Sequence, residues 1–499
     1  MFSKLLRKCS KVSKRSKSLP TRFRMELLEN RQMMAGDVAA SVVNGNLYIS
    51  EALGQSGLDN GVRVFQVSPG VVRVMGAESA SGDASKSLVN GQQFQDFMIT
   101  GDLNVSLGAG NDRLHLGYDG GASAPNFNNV NINMGAPDLV IAQSSSLAKG
   151  GLGGVGGIYN PPDRDEVMGW GFNSRGVTTI NTGIGNDWVF IGQANIGDGL
   201  GVDKLTINTG AGADTASIKG ATILGNLLVQ TYSNAAENDA DFVWMDSSFD
   251  SNFNLKATYV TGNSEFYTGE GDDGFWIGDS TDPYFFGLGF KSLGSVHLSM
   301  AGGADSVEIS AAKFGDNNHW SNLSIYTGAG NDNVTVDFDR SYIDVGEPMP
   351  ELTGSLFIHT YGSLTDTDVD TVNIPIGQIW QSVYVYLGGG NDSFNLAAGN
   401  WGYNLYIDAG DGVDTGYLGG FLYNKAEVKM GEGNDNLTLG HVNAYQLKID
   451  GGNGVDSLRK LSPLAVDYLF QTGWEYINGR PQWVLDNVYS VQSATLAKH

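Results

Sequence analysis

The chain has 499 residues, of which 70 are glycine, 41% are apolar and 17% are charged; so much apolar content can fill a core and excludes a disordered low-complexity polymer. The formal net charge is −24, and because residues 1–24 hold nine Lys or Arg and no acid, the remainder carries −33, which disfavours nucleic acid and anionic membrane as partners. The single cysteine, Cys9, excludes an intrachain disulfide, and the chain lacks the roughly 18-residue apolar run that a membrane-spanning helix needs.

Residues 1–37 are expected to form a basic targeting or disordered segment. Lys4, Arg7 and Lys8 interrupt the apolar stretch that a standard secretion signal would have. The segment ends in Leu28-Glu29-Asn30-Arg31-Gln32-Met33-Met34-Ala35-Gly36-Asp37. This resembles the L-E-P-R-x-L-L-A-G-D segment near the N-terminus of many large exported planctomycete proteins. Asn30 replaces the proline of that pattern, and Met33 and Met34 replace its leucines. The resemblance implies extracellular or cell-envelope placement, with β-rich repeats to follow.

Residues 38–100 read as an N-terminal β cap, with the apolar stretches Leu47–Ile49 and Val62–Phe65. The repeat body spans 101–458. Within it Gly-x-Gly-x-Asp recurs ten times, from Gly108, Gly183, Gly199, Gly210, Gly269, Gly328, Gly388, Gly410, Gly431 and Gly452, with a degenerate copy from Ala301 to Asp305. The last four copies begin 22, 21 and 21 residues apart. Around Gly388, Val383, Val385 and Leu387 alternate before the turn, and Phe394 and Leu396 alternate after Asp392. Alternation on both sides of a glycine turn predicts strand, turn, strand with one buried face. A fixed period of this length predicts one unit stacked many times. The fold expected is all-β: a parallel β-helix or β-roll solenoid, right-handed like most parallel crossovers, with terminal caps.

Two gaps, of 59 residues after Gly210 and 60 after Gly328, are expected to hide units with enlarged loops. One has Leu227 and Val229 before the loop and Asp241, Val243 and Met245 after it; the other has Leu356 and Ile358, then Asp370, Val372 and Ile374. The Gly- and Ser-rich stretch at about 142–176 reads as a long loop or insertion, and residues 459–499 as a C-terminal cap over the last open coil.

The turns also resemble the calcium-binding nonapeptides of RTX proteins, G-G-x-G-x-D-x-U-x. Gly388-Gly389-Gly390-Asn391-Asp392-Ser393-Phe394 and Gly451-Gly452-Asn453-Gly454-Val455-Asp456-Ser457-Leu458 are close to that pattern. RTX copies run in tandem, two per coil, whereas these are mostly one per coil. The resemblance implies a cation along one edge of the stack. The candidate metal ligands are Asp112, Asp187, Asp203, Asp214, Asp273, Asp305, Asp332, Asp392, Asp414, Asp435 and Asp456, with calcium as the metal. Stacked one coil apart, bare carboxylates repel by about 0.9 kcal/mol in water and about 3.5 kcal/mol at an effective dielectric near 20. Two offsets are open: calcium in an oxygen shell, or backbone N–H bonds with the carboxylates facing solvent between neutral neighbours such as Asn111, Asn186, Asn331, Asn391 and Asn434.

No catalytic constellation stands out. His115, His297, His319, His359, His441 and His499 are scattered and read mainly as outward strand residues. No nucleophile elbow or phosphate loop appears. The function expected is a non-enzymatic structural, cell-surface or adhesion module with an extracellular matrix or envelope polysaccharide or protein as partner. The alternative is a β-helix polysaccharide lyase or hydrolase. It would use acids such as Asp272-Asp273 or Asp366, Asp368 and Asp370, with Tyr232, Tyr361, Trp380 and Trp401 stacking on sugars.

Overall fold

The computed structural model describes residues 36–55, 57–81, 86–117, 124–135, 164–200, 204–233, 237–249, 255–278, 288–339, 349–362 and 367–481. Among these residues every regular element is a strand, and the strands stack as a parallel β-solenoid. Each coil passes through three parallel sheets, and from Thr371–Ile379 to Asn436–Asp450 single strands run through the second and third, the last continuing into the first. The first sheet begins at Leu103–Ser106 and Val130–Asn133 and continues to Ala465–Thr472. The second begins at Gly61–Ser68, Arg113–Gly117 and Glu166–Trp170 and continues to Tyr476–Ile477. The third consists of short strands such as Asn126–Phe127, Asn195–Ile196 and Phe290–Ser292. The chain runs from first sheet to second to third, then enters the next coil. The glycine turns link first to second, except that the copy from Gly199 falls between Asn195–Ile196 of the third sheet and Lys204–Ala211 of the first.

The alternation seen in sequence becomes columns of like residues inside. Leu114, Val167, Val189, Ala216, Val243, Phe275, Val307, Val334, Val372 and Phe394 pair successively in register, and all are buried. Burying such a side chain contributes about 1.5–3 kcal/mol in aliphatic or aromatic cases. A one-residue slip would turn every one of them outward, so the pattern fixes the register.

Stacking also explains the glycines. Gly410 has φ +97°, and a Cβ there would lie 1.6 Å from the carbonyl oxygen of Gly388 in the coil before. The turns approach one another too closely for any side chain at this position.

Both expected enlarged units are coils. Asn226–Gln230 pairs with Lys204–Ala211 on one side and Ser264–Tyr267 on the other. Leu356–His359 pairs with Leu323–Tyr326 and Ser382–Tyr386. The stretch at 142–176 is not all loop. Glu166–Trp170 and Asn173–Ser174 are strands of a complete coil, while the Gly-rich part up to 163 lies outside the described residues. Glycine content masked the alternation there, because Gly169 occupies an inward position beneath Phe172 and Ile191.

The two ends differ. At the N-terminal end Val38–Val43 pairs antiparallel with Asn46–Glu51, and Val71–Gly76 lies antiparallel between Gly61–Ser68 and Phe94–Met98. At the C-terminal end parallel pairing continues to Ile477. Lys460 and Gln471 there stand in register with the core residues Leu439 and Ile449, and Lys460 Nζ donates to Gln471 Oε1 at 2.9 Å. The targeting segment at 1–35 and the tail at 482–499 lie outside the described residues.

Candidate functional site at the glycine turn

The structure brings ten of the eleven expected aspartates into one column. Each sits at the end of a glycine turn, just before its strand in the second sheet. The eleventh, Asp203, lies outside the described residues. The column also takes in Asp241 and Asp370 from the enlarged units, and Asp165, which sequence reasoning missed. Asp165 follows Pro161-Pro162-Asp163-Arg164 instead of a glycine motif; the available signal was Val167 two residues later, at the spacing of Leu114 after Asp112.

The carboxylates bond from coil to coil. The Asp112 N–H donates to Asp165 Oδ1 at 2.8 Å, Asp165 to Asp187 at 2.8 Å, Asp187 to Asp214 at 2.8 Å and Asp214 to Asp241 at 2.8 Å. The chain of bonds continues through Asp273, Asp305, Asp332, Asp370, Asp392, Asp414 and Asp435 to Asp456. Asn60 donates into its first rung, and Glu475 accepts from its last. Each carboxylate thus accepts its backbone N–H bond from the neighbouring coil. These side chains do not face solvent: every aspartate of the column is at most 2% exposed.

Burial governs their protonation. Desolvation raises Asp187, Asp273 and Asp435 to about 6, Asp241, Asp370 and Asp414 to about 8, and Asp214 and Asp305 to about 9. The accepted backbone N–H bonds oppose the rise without cancelling it. Hydrogen-bond inventory points the same way. Thr182 neighbours the Asp187 carboxyl, but its hydroxyl proton goes to the Thr209 carbonyl at 3.0 Å. As a pure acceptor Asp187 Oδ2 has no partner; a protonated carboxyl donating to Thr182 completes the pair. Thr209 beside Asp214 and Thr360 beside Asp370 repeat the arrangement, at 3.4 and 3.3 Å to the next coil's carbonyl. Thr327 instead donates directly to Asp332.

A second row runs beside the first, nearer the surface. Oδ1 of Asn186, Asp272, Asn331, Asn391 and Asn434 accepts the N–H of Ala213, Ala304, Val369, Val413 and Val455 in the following coil. From Asn331 onward an amide-bearing turn alternates with a valine-bearing one. Asp368 Oδ2 takes the Gly330 N–H at 2.7 Å. The acids considered for catalysis, Asp272, Asp273, Asp368 and Asp370, therefore all bond to backbone; Asp366 lies outside the described residues.

Among the described residues no group of three or more His, Cys, Asp or Glu is arranged to cage a metal. The aspartate column presents one hydrogen-bonded oxygen per rung in a buried setting, which fits a ladder of acids better than the outward oxygen shell calcium takes. His297 and His359 do face outward, in a row of rings that sequence did not reveal. Tyr267, His297, Tyr326, His359, Tyr386 and Tyr406 follow one another at centroid distances of 5.8, 5.2, 4.9, 4.6 and 5.4 Å. Burial lowers the His359 pKa. Trp401 is fully buried, with Nε1 donating to the Gly419 carbonyl, while Trp380 is 59% exposed.

The fold and turn define a three-sided parallel β-solenoid with a buried aspartate ladder. Comparison of the chain with family models, curated proteins and solved structures gives no match.

Proposed function

We propose that the chain is an exported, acidic β-solenoid that serves as a structural, cell-surface or adhesion module. The observation that carries this reading is the engagement of the repeat motif in stacking. Its glycines permit coil contact and its aspartates bond the next coil, so the repeated residues are used to build a long, regular surface. The resemblance of Leu28–Asp37 to planctomycete export-associated segments supports placement outside the cell. Calcium stabilisation is a separate, narrower reading that draws support from the RTX-like turns alone and is not needed by the hydrogen-bonded aspartate ladder.

Cell fractionation combined with retention of the purified protein on isolated envelopes tests the reading. Recovery in the envelope or medium, with retention, is the expected result. Turnover of an acidic or sulfated polysaccharide, abolished by one carboxylate substitution, would replace it with the lyase or hydrolase alternative.

A further inference from the structure

The outward face of the second sheet holds two adjoining depressions near its N-terminal end. In the strands Gly61–Ser68, Arg113–Gly117 and Glu166–Trp170, the residues Val62, Val64, Leu114, Leu116 and Val167 are buried in the core. Alternation turns Arg63, Phe65, His115, Gly117, Met168 and Trp170 outward. Trp170 pairs in register with Gly117. Phe65 follows Val64 as Gly117 follows its partner Leu116. The Cα atoms of Phe65 and Trp170 thus stand two strand spacings apart, about 9–10 Å, with Gly117 between them.

No side chain rises from Gly117, and a cavity of about 220 Å³ lies there, lined by Phe65, Gly117, Trp170, Arg63 and His115 among others. Trp170 is braced from the far side by Phe190, whose ring is stacked at 5.6 Å and 6°. Gly192 beneath is equally necessary, since a Cβ there would meet the Trp170 ring at 2.2 Å. The adjoining cavity, about 250 Å³, shares Arg63 and His115 and adds Lys86, Arg113 and Glu78. With Glu166 beside Arg113 counted, three permanent cations face two carboxylates, a local excess of positive charge in a chain of net charge −24. Arg113 is held by Glu166 at 2.6 Å, and Arg63 Nε donates to His115 Nδ1 at 3.4 Å.

We propose that these depressions form one subsite for a sugar ring bearing a carboxylate or sulfate, as part of an acidic polysaccharide. The ring enters between Phe65 and Trp170. A puckered ring seated over Gly117 would bring its C–H groups to about 3.5–4.0 Å from the two aromatic side chains. The acidic group turns toward Arg63, Lys86 and Arg113, where guanidinium forks favour paired acceptor oxygens. This deepens the surface-module reading and rests on it for the source of the ligand.

The test is calorimetric titration of the full-length protein with a galacturonic acid tetramer, a sulfated tetramer and neutral cellotetraose, repeated with Arg63→Gln and Trp170→Ala. At least one acidic tetramer is expected to bind, cellotetraose much more weakly, and each substitution to weaken the acidic ligand by about tenfold or more. Which acidic tetramer binds separates uronate from sulfate. Arg63→Gln changes an outward side chain, so it keeps the test sound if Trp170→Ala lowers the melting temperature. Absence of heat with both acidic tetramers, or unchanged affinity in Arg63→Gln, overturns the subsite. Envelope retention by a variant that no longer binds the tetramer overturns the subsite as the adhesion determinant and leaves the surface-module reading intact. A wild-type protein that binds the tetramer but no envelope does the reverse.

Discussion

Asp214→Asn should stabilise this protein at pH 8 and leave it nearly unchanged at pH 4. Burial lifts the Asp214 carboxyl from 3.8 in the unfolded chain to about 9 in the folded one. Between those values the native state holds a proton that the unfolded state has released. The contribution of this rung is therefore fully present below the unfolded pKa and declines as pH rises, by up to about 1.4 kcal/mol per pH unit until the folded pKa is passed. Asparagine has no proton to lose. Its carbonyl oxygen still accepts the Asp187 N–H, now at 2.8 Å, and its amide can donate to Thr209, whose own hydroxyl proton is directed to the Thr231 carbonyl. Neighbouring acids relax part of the difference, so the expected gain at pH 8 is at least about 2 kcal/mol, read as a higher urea midpoint at unchanged slope. Denaturation curves of wild type and variant at pH 4, 6 and 8 measure it. A variant that loses stability at pH 8, and loses more there than at pH 4, would show an ionised carboxylate serving the fold, as a cation site requires, and would refute the neutral ladder.

The wild-type protein should be more stable near pH 5 than near pH 8, since the raised aspartates all act in the same direction; a melting temperature that climbs over that interval contradicts the pKa directions. Millimolar calcium added to chelator-treated protein should shift the melting temperature by no more than about 1 °C, because a ligand stabilises only through affinity for the native state; a larger shift restores the calcium rim. Gly410→Ala should destabilise by well over the roughly 1 kcal/mol usual for a point change, because its Cβ would stand 1.6 Å from the Gly388 carbonyl oxygen; wild-type melting would contradict coil stacking at this distance. Trp401→Ala should cost about 3–5 kcal/mol, the range for deleting a large buried aromatic, measured by urea unfolding.

The solenoid was legible because two signals coincided at Gly388, Gly410, Gly431 and Gly452: glycine turns at a steady period, and alternation on either side. Neither depends on long-range detail. The third sheet was not legible. Strands as short as Asn195–Ile196 are too brief to show a period of two. The aspartate column was placed correctly along the chain, but its orientation was not. Local reasoning about Asp392 sees only its own turn, whereas its Oδ1 bonds the Asp370 N–H of another coil. Whether a carboxylate turns inward depends on that neighbour. Trp401, a sugar-stacking residue only in the enzyme alternative, packs in the interior, where Gly377 and Gly420 leave room for its ring.

A stack of identical edges is open-ended, and every added turn would present the same adhesive rim to the next molecule. Lys460 and Gln471 interrupt that invitation. By placing an ammonium and an amide where Leu439 and Ile449 set an oily track, they oblige any incoming strand to desolvate a charge before it gains an apolar partner. Replacing the pair with leucine and isoleucine would remove that toll and favour end-to-end association.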